Sequence, residues 1–174
     1  MRIISGKYKG KKITGYDIDG TRPTMDRVKE SIFGIIQCYV KDSVVLDLFA
    51  GSGSLGLEAI SNGAKKLVLV DKEKKVTDVI KQNIKMFDDD IEVITMDYKR
   101  YLKNTSCKFD IIFLDPPYRA GLMNKALKII EERDLLKKDG IVVCEYENIF
   151  IETNLKLIRE KKYGNKMVNI YINS

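Results

Sequence analysis

"VVLDLFAGSGSLGLEA", residues 44–59, decides how the rest of the chain is read. Its first six residues are apolar except for Asp47, as in a strand buried on both faces of a sheet. Gly51, Gly53 and Gly56 follow at G-x-G-x-x-G spacing, and "SLGLEAISNG" then takes up helical spacing, closed by Gly63 just past the helix end. A strand that turns through glycines into a helix is a ligand-binding unit of α/β proteins. Glycine tolerates positive φ there and lets a ligand approach bare backbone.

Outward from this unit, "LVLVD" (67–71), "IEVIT" (91–95), "FDIIFLD" (109–115) and "IVVCEY" (141–146) read as further strands. Helical spacing occupies Glu73 to Phe87 and Leu122 to Leu136. The alternation predicts an α/β fold with a mostly parallel sheet. "LKLIREKKY" and "KMVNIYI", with "GN" between them, predict an antiparallel hairpin at the C-terminus. Ahead of the alternation, "RPTMDRVKESIFGIIQCYV" (22–40) sets Val28, Ile32, Ile35 and Ile36 on one face of an amphipathic helix entered at Pro23 or Thr24.

With 174 residues, 44% of them hydrophobic, the chain can bury one core with a small appendage. No apolar run is long enough for a membrane span and "MRIISGKYKG" lacks the apolar stretch of a secretory signal, so the expected compartment is the cytoplasm. Cys38, Cys107 and Cys144 form neither a metal clip nor a disulfide framework, and each is expected to be a small buried hydrophobe. The chain has no histidine. That excludes His-based triads and His metal sites, leaves carboxylates, Tyr, Lys and backbone groups for any chemistry, and gives no metal as the expectation. Net charge is +6, and Arg2, Lys7, Lys9, Lys11 and Lys12 fall in the first twelve residues with no acid among them. This segment is either a solvated terminus or a phosphate-contacting arm.

Consecutive strands end in, or are followed by, an acid: Asp47, Asp71, Asp97 and Asp115. Ligands of parallel sheets bind at that rim. Asp71, with Lys72 beside it, can accept both hydroxyls of a ribose. Asp97, with Tyr98 next to it, can take an adenine amino group, or it can cap a helix. Asp47 lies ahead of the loop formed by Phe49, Gly51, Ser52 and Gly53, where a pyrophosphate would be repelled and a sulfonium or ammonium attracted. Two unit charges ~4 Å apart interact by about 4 kcal/mol at an effective dielectric of ~20. The sign favours S-adenosylmethionine over NAD; the alternative is a structural acid that ties down the loop's amides.

"FLDPPY" ends the fourth strand. Pro116 and Pro117 have no backbone N–H, so the segment presents carbonyl oxygens, joined by the Asp115 carboxylate. Such an edge suits a group with two N–H donors, a nucleobase amine or a carboxamide nitrogen. Gripping both hydrogens turns the nitrogen lone pair toward a methyl group and stabilises the developing positive charge. Tyr118 can stack on the base, a contact worth about 1–3 kcal/mol. Cys107 precedes the fourth strand at the opposite edge and reads as structural.

Together these stretches resemble the class I methyltransferases, and more closely the bacterial 16S ribosomal RNA guanine-N2 methyltransferases. "RIISGKYKGKKI" is similar to the family's basic N-terminal motif, "RPTMDRVKESIF" to its signature helix, "DLFAGSGSLGLEA" to its cofactor loop and "FLDPPY" to its catalytic motif. The resemblance implies a Rossmann-like sheet of seven strands, S-adenosylmethionine as cofactor and a guanine of ribosomal RNA, free or in an assembling 30S subunit, as substrate. It further implies that Asp115, Pro116, Pro117 and Tyr118 position the guanine amine and that Asp71 holds the ribose. The expected layout is a basic β extension over 1–20 and a methyltransferase domain over 21–174, acting as a monomer without membrane or metal. Arg22, Arg27 and Arg119 join the five arm cations as candidate RNA contacts; Thr24 and Arg27 are candidates for the cofactor's methionine end as well. Gly34 departs from the family pattern, which has asparagine after the phenylalanine of that helix. Rival readings are a D/N-P-P-Y methyltransferase acting on adenine N6 or on protein glutamine, and a non-catalytic RNA-binding assembly factor.

Overall fold

The computed structural model describes residues 1–15, 23–117 and 121–174, with the backbone alone at 23–25. In chain order the elements are α1 (Pro23–Val40), β1 (Val44–Asp47), α2 (Ser54–Ser61), β2 (Lys66–Asp71), α3 (Lys74–Asn83), β3 (Asp90–Thr95), α4 (Tyr98–Asn104), β4 (Phe109–Leu114), α5 (Leu122–Glu132), β5 (Leu136–Tyr146), β6 (Lys156–Tyr163) and β7 (Lys166–Ile172). The seven strands form one sheet in the order β3-β2-β1-β4-β5-β7-β6. β1 to β5 pair in parallel, and β7 lies antiparallel between β5 and β6. The chain leaves β1 toward β2 on one side and returns to β4 on the other. That reversal opens a crevice at the carboxyl ends of the strands.

Alternate side chains of a strand face opposite sides, and the core divides accordingly. Val45, Ile111, Phe113, Ile141 and Val143 pack with α1 and α2, whose Ile32, Ile36 and Leu57 are buried there. Leu46, Leu48, Ile112, Leu114 and Val142 pack with α4 and α5 through Leu102, Ala126 and Ile130. On α1, Val28, Ile32, Ile36 and Val40 are buried at every fourth position, which is one stripe of the helix. Cys38 falls off that stripe and is exposed, and Cys107 is half-buried; only Cys144 is the buried small hydrophobe the sequence predicts for all three.

Two boundaries and one helix differ from the sequence reading. α5 ends at Glu132, not Leu136, because Asp134 turns to φ 50 and Leu135 N–H closes on the Ile130 carbonyl at 3.0 Å. Leu136 is then free to pair with Phe109 and start β5. α3 stops at Asn83 and tightens into a 3-10 turn over Ile84–Met86. The short α4 follows Asp97 where the alternation marked no helix.

The N-terminal segment closes through an antiparallel bridge, Arg2 to Lys12, with Ile3 N–H donating to the Lys11 carbonyl at 2.9 Å. Ile3, Tyr8 and Ile13 are buried in the α1-side core. Among the described residues no helix is long and apolar enough to cross a membrane.

Candidate active site

The glycine loop is shaped by backbone geometry. Gly51 and Gly53 hold φ values of 54 and 77, a region that costs a residue with Cβ roughly 1–2 kcal/mol, and Gly53 caps α2. Gly56 serves packing instead: a Cβ there would lie 2.7 Å from Leu67 Cδ1 and 2.8 Å from Leu69 Cδ2. Its absence lets α2 lie close on β2. Two strand-end acids fasten the loop. Asp71 accepts from Gly51 N–H at 3.1 Å and from Glu73 N–H at 3.0 Å; Asp47 accepts from Gly56 N–H at 3.0 Å.

Among the described residues two cavities open at the rim and meet at Phe49, Ala50 and Asp115. The larger, about 540 Å³, is walled by Gly51, Ser52, Asp71, Lys72, Asp97 and Tyr98, with Pro116 and Pro117 at its border. Phe49 and Tyr98 tilt against each other there at 5.2 Å between ring centroids. The Tyr98 hydroxyl is buried with no hydrogen-bond partner among the described residues, and burial, then the Asp97 charge, raises its pKa. Asp97 caps α4, its Oδ1 accepting from Lys99 N–H at 2.9 Å and Arg100 N–H at 3.4 Å, while also lining the cavity. The helix-cap role and a ligand-facing position coexist.

The smaller cavity, about 260 Å³, lies beneath α1 and is charged: Asp26 and Lys29 from the helix face Asp47, Asp115, Glu145 and Lys166 from the sheet. Glu145 and Lys166 form an ion pair. Asp47 is 2% exposed, and its pKa is pushed up to about 8 by burial, with the Asp115 and Asp71 charges adding and the Gly56 N–H opposing. Burial lifts Asp115 to about 7; Glu145 adds to the shift and Lys166 opposes it.

Of the remaining candidates, Gly53 lines neither cavity, Pro116 is buried and Pro117 exposed, and Arg27 is exposed on α1. Arg22, Tyr118, Arg119 and the Thr24 side chain lie outside the described residues. The arm is not a solvated terminus. Tyr8 packs on Phe87 at 4.5 Å and donates to Asp89 at 2.5 Å, and Lys7 and Lys11 sit over the Tyr8 ring at 4.8 and 4.7 Å. Lys7 pairs with Asp89 at 3.7 Å, and Lys11 donates to the Met86 carbonyl at 2.7 Å. Both therefore lie by the amino end of β3, away from the cavities. Arg2, paired with Asp26 at 3.6 Å, stays near the rim, and Lys12 shares its rung; Lys9 is exposed in the turn. A Cβ on Gly6 would lie 1.9 Å from the Ser61 carbonyl oxygen, so glycine is what allows the arm to dock.

Sequence reasoning missed Lys29, Glu145 and Lys166. Glu145 left a trace as the one acid inside the apolar run "IVVCEY". Lys166 left none, because only the β5–β7 pairing, with Tyr146 opposite Met167, brings it there.

A family model described as Conserved hypothetical protein 95 matches residues 1–172. The ribosomal RNA small subunit methyltransferase D of Buchnera aphidicola is 38% identical over 98% of this chain and 92% of its own length. The protein of the same name from Haemophilus influenzae is 36% identical over 99% and 94%. The solved structure of yhhF from Escherichia coli has a TM-score of 0.90 to this fold at 31% identity, covering 100% of this chain and 98% of that one. The chain belongs to the conserved hypothetical protein 95 family, together with the small-subunit ribosomal RNA methyltransferase D proteins.

Proposed function

We propose that this protein transfers a methyl group from S-adenosylmethionine to the exocyclic 2-amino group of a guanine in small-subunit ribosomal RNA. The observation that carries the reading is the position of Asp115, in the wall common to two adjoining cavities. A group crossing from one ligand to another would cross beside it.

The larger cavity suits the cofactor's adenosine. Asp71, held in place by Gly51 and Glu73 amides, offers carboxylate oxygens to a ribose, Phe49 and Tyr98 offer aromatic surface, and the Tyr98 hydroxyl, without a partner among the described residues, offers a hydrogen bond. Asp47 would face the cofactor's positive centre. S-adenosylmethionine, when bound, supplies an electrophilic methyl group on a sulfonium.

Asp115 and the Pro116 carbonyl accept the two amine hydrogens and orient the nitrogen, and Pro116 presents no N–H that would compete. As the nitrogen gains a methyl group it must lose a proton, and a carboxylate with a pKa near 7 is matched to take it at neutral pH. No histidine or metal is needed for this step. Arg2 and Lys12 at the rim, with Arg27, would hold phosphates of the RNA; replacing Lys12 and Arg27 by alanine should make the salt dependence of RNA binding shallower.

The test is to incubate the protein with cofactor labelled in its methyl group and either naked small-subunit RNA or subunits lacking the modification, and to map the product. Label on a guanine amine is the expected result. Label confined to protein, DNA or adenine rejects the assignment.

A further inference from the structure

Four charged side chains stand on the α1 face of neighbouring strands at the site. Val45, Phe113, Val143 and Val168 all face that side, so by strand alternation Asp47, Asp115, Glu145 and Lys166 face it too, and all four line the cavity beneath α1. The pairings Phe113–Val143 and Leu114–Cys144 set Asp115 level with Glu145 on β5, with strands about 4.8 Å apart. The reversed register of β7 sets Lys166 beyond Glu145, where the two form an ion pair. From β4 to β7 the row reads carboxylate, carboxylate, ammonium: acceptor, acceptor, donor.

Guanine's Watson–Crick edge reads the complementary way: the 2-amino group donates, N1–H donates and O6 accepts. Adenine has an acceptor at N1 beside its amine, and a carboxylate facing it would meet lone pair with lone pair. Glu145 is 8% exposed and Lys166 holds it as an ion pair. Burial first, and then the neighbouring Glu145, raises the pKa of Asp115.

We propose that Glu145 is the residue that reads guanine, accepting N1–H while Asp115 and the Pro116 carbonyl take the amine and the Lys166 ammonium fixes Glu145 beside O6. This rests on the function proposed above and adds the element that separates guanine from adenine in a D-P-P-Y site. A contact of this kind is worth roughly 1–3 kcal/mol of discrimination, a factor of roughly 5 to 150.

The experiment compares the wild type with Glu145→Gln on subunits lacking the modification, rebuilt with either guanine or 2-aminopurine at the mapped target position. 2-Aminopurine keeps the reacting amine but carries an acceptor at N1 and no O6. The wild type should favour guanine by a factor within roughly 5 to 150. In Glu145→Gln, whose amide can turn its NH2 toward N1, methylation of guanine should fall and that preference should shrink severalfold. Binding of S-adenosylhomocysteine, measured by calorimetry, should stay within about twofold, which also shows that the variant is folded. An unchanged preference, or lost S-adenosylhomocysteine binding, overturns the role of Glu145 and leaves the function standing. A wild type that methylates no guanine in these subunits overturns the function itself.

Discussion

Glu58 and Asp47 are two buried acids of the same α1-side layer, 1% and 2% exposed, and they live in opposite surroundings. Glu58 accepts from Ile4 N–H at 3.0 Å, from Ser5 N–H at 2.8 Å and from the Ser5 hydroxyl at 2.9 Å. It also pairs at 3.0 Å with Lys29, itself 5% exposed, whose ammonium donates further to the Arg2 carbonyl and Ser54 hydroxyl. Among the described residues Asp47 has one hydrogen-bond donor, Gly56, and burial first, then two other acids, raises its pKa. A buried charge supplied with partners is structural and here clamps the N-terminal arm across α1 and α2. A buried acid left short of partners, as Asp47 is, holds its proton more tightly, and in the function proposed above it would release that proton to face the cofactor's cation.

The contrast is broken most severely by removing one partner of the satisfied group. Lys29→Met leaves buried Glu58 without its ion-pair partner, and chemical denaturation should show a loss of about 3–5 kcal/mol, with much of it recovered in the Lys29→Met/Glu58→Gln double variant. At the rim the expected losses are in activity instead. Asp115→Asn should slow methyl transfer by roughly 10²–10³-fold, the range for removing one group that stabilises developing charge, while cofactor affinity changes little; equal losses in both would remove Asp115 from the chemistry.

Asp47 sharpens the comparison through pH. With a pKa of about 8 in the free protein, its carboxyl is mostly protonated at pH 7, and a cationic ligand requires it ionised. Affinity for S-adenosylmethionine should therefore rise with pH between 6 and 8, by up to about tenfold per unit, or about 1.4 kcal/mol. Calorimetry across that range checks it, and Asp47→Asn should flatten the dependence. Linkage gives a second sign: the native state keeps a proton that the unfolded chain has lost, so this group's contribution to stability is present below about pH 4 and drains away as pH rises to about 8. The smallest effect is expected on α1, where Gly34 is exposed and nothing lies within 4 Å of an added Cβ. Gly34→Ala should raise stability by roughly 1 kcal/mol with cofactor binding unchanged, and a loss of cofactor affinity would give this position a functional role.

The sheet and its ligand rim were legible because their signals are local. Apolar runs separated by helical spacing specify parallel strands, and an acid at the end of each run marks the rim whatever the neighbours do. The family pattern at "DLFAGSGSLGLEA" and "FLDPPY" then pointed to the chemistry. Boundaries were less legible where two elements compete for the same residues. Leu135 and Leu136 continue the helical spacing of α5, but the left-handed turn at Asp134 hands Leu136 to Phe109, a choice made by strand pairing rather than by propensity.

The arm shows the same division. Composition gave five cations and no acid in twelve residues, which describes a charged segment without saying what it touches. Asp89, Met86, Ser61 and Glu58, all more than fifty positions away, fix where those cations go. Along the chain alone, the sequence determined the alternation, the glycine loop and the acids at the strand ends, since each depends on residues a few positions apart. Tertiary structure alone decided that Lys29 pairs with Glu58 and that Lys166 meets Glu145 beside Asp115, because those meetings depend on helix packing and on the antiparallel register of β7, and register is a property of two strands together.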